Sequence, residues 1–116
     1  CTRPPPFPEV ELIVPIQAQV MLMFKDSINA FVREDVDLAR AVVGRDKQLD
    51  DMNRSANRQL TERMMHDREQ LRGYFNLILI SRALERVGDH ATNIAEDAVY
   101  AAAAEDIRHQ TLTASA

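Results

Sequence analysis

Apolar residues recur along almost the whole chain at spacings of three and four, and no segment shows the period-two alternation of a half-buried strand. The first run, from Glu9, carries Ile13, Ile16, Val20, Met23, Phe24, Ile28, Phe31 and Val32. Pro15 falls in its first turns, so the helix starts near Pro15 or kinks there. The Glu34-Asp35 pair opens a short segment, Val36 to Val43, with Asp35 as N-cap and Gly44 as stop. From Arg45 a third run follows through Leu49, Met52, Ala56, Leu60 and Met64, and it fades at His66-Asp67, where a turn is expected. The last run is the longest: Leu77, Ile80, Leu84, Val87, Ala91, Ile94 and Ala98, in a helix from about Glu69 to about Ala104 that spans roughly 50 Å. Three long amphipathic helices with short connections predict an all-α, up-down-up three-helix bundle. Ahead of it, CTRPPPFP holds too many prolines for a helix, so residues 1–8 read as a Pro-rich arm or linker, 9–109 as the helical domain and 110–116 as a flexible tail.

Composition narrows the picture. The chain has 116 residues, enough for one domain, and only 3 glycines and no tryptophan, which disfavours sandwiches and barrels. Net charge is −4, so the basic footprint of a nucleic-acid binder is missing and no nucleic-acid partner is expected. The single cysteine, Cys1, makes no internal disulfide or thiolate cage, and it precedes the core. No 18-residue apolar run and no basic-then-apolar leader occurs, so a cytoplasmic protein without a transmembrane segment is expected. The chain starts with Cys rather than Met, and is expected to be part of something longer. No Gly-rich phosphate loop or nucleophile–base pair is found, and the chain is not expected to be an enzyme.

The informative stretch runs from Arg82 to Glu96. On a wheel of about 100° per residue, Glu85, Asp89, Asn93 and Glu96 lie within about 80° of one another, roughly 160° from the apolar stripe. That places the oxygen groups on a face pointing away from the core. Like charges four residues apart cost a few tenths of a kcal/mol on a bare helix, and a cation would remove that repulsion. Hard cations want more oxygens than one helix offers. Asp46 and Asp50, also four apart, are the second source, with Asp51 as an outer participant. The bland alternative is a solvated face, with Asp46 and Asp50 serving the dipole of a helix start. Gly88, inside a strong helix, signals close approach of another helix or of a ligand, the helix being the commoner cause.

Other chemistry is weaker. His90 leans off the acidic face, and His66 and His109 fall at a turn and in the tail. A di-iron bundle needs E-x-x-H pairs facing the core, and the chain has none. A phosphotransfer histidine is disfavoured because no Lys lies near His90. Met23, Met52 and Met64 fall on apolar stripes and are expected to fill the core.

The run LERVGDHATNIAEDAVY, followed by EDIRH, resembles the C-terminal part of the phosphate-uptake regulator (PhoU) family, and FVREDVDLARAVVGRDKQLDDM resembles the same family's linker and second helix. The resemblance covers about residues 10 to 109. It implies one of two tandem three-helix repeats, the second, and a role in negative regulation of phosphate uptake and phosphate-starvation signalling. It implies contacts with a phosphate ABC transporter and a sensor histidine kinase at the inner membrane. It also implies surface metal held by E/D-x-x-x-D motifs, which fall here on Asp46, Asp50, Glu85, Asp89 and Asn93. The ion would be divalent or trivalent: Mn, Mg, Fe or Zn. The departure is the missing first repeat, which leaves apolar surface uncovered, and a homo-oligomer is therefore expected. The rival functions are a metal-storage bundle and a plain oligomerisation module.

Overall fold

The computed structural model describes residues 7–114, and residues 1–6, most of the expected Pro-rich arm, lie outside the described residues. A single 3-10 turn, Pro8–Leu12, leads into helix α1 (Val14–Arg33). Helix α2 spans Val36–His66, and a 3-10 turn at Arg68–Gln70 leads into helix α3 (Leu71–Ala114). Among the described residues the fold is all-α, three helices packed pairwise around one core.

Pro15 occupies the first turn of α1, where a missing N–H removes no helical bond. The helix ends on Glu34, the one described non-glycine residue with positive φ (55°), and Asp35 N–H then reaches back to the Ala30 carbonyl at 2.9 Å. This is the αL termination usually given to glycine. Asp35 immediately caps α2, its carboxylate accepting from the Leu38 amide at 3.0 Å. Two residues thus close one helix and open the next.

Gly44 does not stop anything. The backbone runs through it without a positive φ, and the expected short segment and third run are one 31-residue helix. The helix penalty of about 1 kcal/mol at an exposed glycine is outweighed by the apolar stripes on either side of it. Asp46 and Asp50 therefore sit well inside α2, where the dipole of a helix start does not reach them.

The core comprises Ile13, Ile16, Val20, Met23 and Ala30 from the first segment, Ala39, Val42, Leu49, Ala56 and Leu60 from α2, and Tyr74, Leu77, Ala91, Ala95 and Ala98 from α3. Met52 and Met64 pack partly buried against it. Later residues of α2 meet earlier ones of α1: Arg45 pairs with Asp26 at 2.8 Å, and Gln19 donates to Gln48 at 3.4 Å. Phe7, inside the stretch assigned to the arm, packs on Tyr74 with ring centroids 5.1 Å apart and lies over Gly73. The Tyr74 hydroxyl sits 3.2 Å from Asp67 Oδ2 and 3.4 Å from Glu9 Oε1, and Arg63 pairs with the same Glu9 oxygen at 3.0 Å. The N-terminal turn is thereby tied to the α2–α3 connection.

Helix α3 continues past its expected end near Ala104. At 44 residues it is about 66 Å long. Its last turns project beyond the bundle, leaving Tyr100, Ile107 and Leu112 more than 60% exposed. Alanine-rich sequence favours helix even where nothing is packed against it.

Candidate functional site

Helices α2 and α3 meet along a seam that is apolar at its centre and polar at its edge. At the centre, a Cβ on Gly88 would overlap Leu49 Cδ2 and come within 3.9 Å of Val20 Cγ2. Gly88 is the point where all three helices meet, so close approach of another helix explains it.

Two polar clasps join the helices beside that point. Ser81 Oγ donates to Asn53 Oδ1 at 2.9 Å, with both residues buried. Further along, Thr92 Oγ1 lies 3.3 Å from Asp46 Oδ1 and 3.1 Å from the Gly88 carbonyl, so its one proton is shared between them. This contact holds Asp46 against α3. Burial raises the Asp46 carboxyl above its ordinary value, and Asp50 one turn away pushes in the same direction. Thr92 opposes, while Asp89 and Glu96 add smaller pushes upward. Carboxylates from two helices therefore share one electrostatic neighbourhood.

Asp50 and Glu85 line one groove of about 290 Å³ together with Asn53, Arg54 and Asn57. Glu85 also lines an adjoining depression with Arg82, Arg86 and Asp89. The structure thus brings Asp46, Asp50, Glu85 and Asp89 to one edge of the α2–α3 seam. Asn93 lies one turn beyond Asp89 on the exposed side, and Asp51 belongs elsewhere, lining a groove with Pro15 and Ile16 of α1. Among the described residues, no three His, Cys, Asp or Glu side chains converge closely enough to hold an ion.

Asp89, Asn93 and Glu96 are exposed, as the angle to the apolar stripe predicted, but Glu85 is half-buried and the line runs along the flank of the core rather than opposite it. Glu85 borders the core because the buried face of α3 includes Ser81, Gly88, Thr92 and Ala95, while Ile80 is 46% exposed. Counting only large apolar residues misplaced that face by roughly 70°. Asn53, Asn57 and Thr92 were missed for a related reason. The available signal was Asn53 itself, a polar residue within the Leu49–Ala56–Leu60 stripe.

A three-helix, all-α bundle with acidic and amide side chains along one edge of the α2–α3 seam is the class of protein defined so far. Residues 14–98 match the PhoU domain, and the chain belongs to the PhoU family. It is 42% identical over 98 residues to the phosphate-specific transport system accessory protein PhoU homolog of Pseudomonas aeruginosa, covering 84% of this chain and 40% of the relative. It is 41% identical over 76 residues to homolog 1 of Thermotoga maritima, covering 66% and 33%. To the PhoU protein of Escherichia coli K12 it is 33% identical over 87 residues, covering 75% and 36%. The chain thus spans 33–40% of the length of these curated relatives.

Proposed function

We propose that this chain regulates phosphate uptake and phosphate-starvation signalling through contacts with a phosphate ABC transporter and a sensor histidine kinase, and not by catalysis. The observation that carries this is the identity, sustained over most of the chain, to proteins named for accessory roles in phosphate-specific transport. A cytoplasmic protein held at the inner membrane by its partners accords with this, and no helix among the described residues is long and apolar enough to cross a membrane. The opposed pairings of α1 with α2 support an up-down-up bundle. Self-association is supported by exposed Ile28, Phe31 and Val32 on one side of α1.

The metal reading belongs to the same proposal: a divalent or trivalent ion held by Asp46, Asp50, Glu85 and Asp89, with Asn93 at the margin. Its support is the gathering of Asp46, Asp50, Glu85 and Asp89 at one edge of the seam; burial first, and then repulsion from Asp50 and more weakly from Asp89 and Glu96, raises the Asp46 carboxyl, and a cation would cancel the repulsive part. Oxygen donors suit Mn, Mg or Fe better than Zn. When bound, the ion would supply positive charge that pins α2 to α3. These residues bind it and orient one another; no reaction step is assigned to them.

The test is expression of this chain in cells whose own accessory regulator is deleted. Phosphate uptake and a starvation-response reporter are expected to fall several-fold under phosphate-replete conditions. An unchanged reporter, with the chain present and folded, would overturn the regulatory reading.

A further inference from the structure

The outer face of α3 carries a line of side chains that the bundle leaves uncovered. Leu71, Phe75 and Leu79 near its start are each about half exposed, and Tyr100 and Ile107 near its end are more exposed still. Between them stand Arg82, Arg86, Asn93 and Asp97, all exposed. Among the described residues the three charged ones make no ion pair. On a wheel of about 100° per residue the whole line spans roughly 80°. Ser81 and Thr92, which reach α2, lie about 60–80° outside that span, so α2 does not cover it. Along the chain the line runs apolar, basic, acidic, apolar. Such an order is complementary to its own reverse.

We propose that two copies of this chain pair through this face of α3, antiparallel, as a two-fold symmetric dimer. The proposal rests on the self-association reading given above and moves its surface from α1 to α3. Centring the pair between Asp89 and His90 sets Leu79 opposite Tyr100 of the second copy. Likewise Phe75 falls opposite Ala104, Arg82 opposite Asp97, Arg86 opposite Asn93 and Asp89 opposite His90, and symmetry makes each contact twice. A parallel pair would set Arg82, Arg86 and Asp97 against their own copies, and like charges repel. An unrelated partner would have to present the same groups in reverse order, whereas a second copy supplies them. The line from Leu71 to Ile107 is roughly 50 Å long, enough for the roughly 800 Å² per copy that a stable dimer buries. Its polar middle costs some stability and fixes the register. The last turns of α3, which project beyond their own bundle, then lie along the first turns of the partner helix.

Sedimentation equilibrium of the full chain, with a chelator present so that no ion takes part, reads the dissociation constant, and circular dichroism checks folding. Arg82→Glu and Asp97→Arg each place two like-charged pairs in the seam and should each weaken the dimer about 10- to 100-fold. Combined in one chain they exchange the charges, and association should return to within about threefold of the unaltered chain. Both side chains are exposed, so helicity should not change. If a charge variant fails to fold, Ile107→Ser in the projecting turns decides: it should weaken the dimer about tenfold, and unchanged association overturns the proposal. Charge variants that associate as tightly as the unaltered chain overturn the α3 seam and leave self-association standing on α1. Single variants that weaken the dimer without rescue in the double overturn the antiparallel pairing. An unaltered chain that stays monomeric at high micromolar concentration overturns this proposal and the self-association reading together.

Discussion

Leu49 and Asn53 lie one turn apart on α2, and both are buried against α3, yet they meet opposite kinds of surface. Leu49 fills the notch left by Gly88, where the only requirement is shape. Asn53 meets Ser81 through one bond and keeps its buried amide nitrogen unmatched. The first contact is complete within the chain. The second is half complete. Packing stabilises a seam wherever surfaces fit, whereas a buried polar group is satisfied only by a partner in the right place, so incompleteness localises at the polar end.

The contrast is broken most severely at its apolar end. Leu49→Ala should cost about 2–5 kcal/mol, lowering the melting temperature by roughly 10–20 °C. Gly88→Ala in the unaltered chain should cost about 1–3 kcal/mol, because the new methyl overlaps Leu49. In the Leu49→Ala background the sign should invert: the space is open, and alanine's helix preference adds about 1 kcal/mol of stability. A four-point thermal-melt cycle reads the coupling directly, and additive effects would mean that Gly88 is not the contact point.

At the polar end the expected effects are smaller. Ser81→Ala strips Asn53 of its one bond in a buried site and should cost about 1–3 kcal/mol. Adding Asn53→Leu should recover most of that, since both members of the pair are then apolar. Failure of the second change to recover stability by urea denaturation would show that Asn53 has another partner.

Asp46→Asn should have the smallest effect and the most informative pH dependence. Asparagine keeps an acceptor for Thr92 and removes a charge repelled by Asp50, Asp89 and Glu96. At pH 7 and without metal, the variant should melt a degree or two higher, from a few tenths of a kcal/mol of relieved repulsion. A carboxyl whose folded pKa is raised holds its proton more tightly folded than unfolded. Its stabilisation is therefore present at acid pH and lost as pH rises through that raised value. The advantage of Asp46→Asn should accordingly shrink as the melts are taken down into the carboxylate range. A constant difference across pH would separate Asp46 from its acidic neighbours.

Periodicity determined the helical class and the turn near His66, residue type the Asp35 cap, and motif resemblance the family, because each depends on residues close together in the chain. The 3.6-residue repeat records which side of a helix is apolar, and LERVGDHATNIAE is legible without knowing what it touches. Gly44 misled because a glycine's preference for helix ends is a local tendency, and packing on both sides of it overrode that tendency. Only the tertiary structure decided that Ser81, Gly88 and Thr92 are interior, that Asp46 is clasped to α3, and that Asn53 and Asn57 lie along the groove of Asp50 and Glu85. A small or polar residue has no fixed side. Its burial depends on whether a facing helix presents a matching bump or bond, and in this chain those partners lie 28 to 46 residues away.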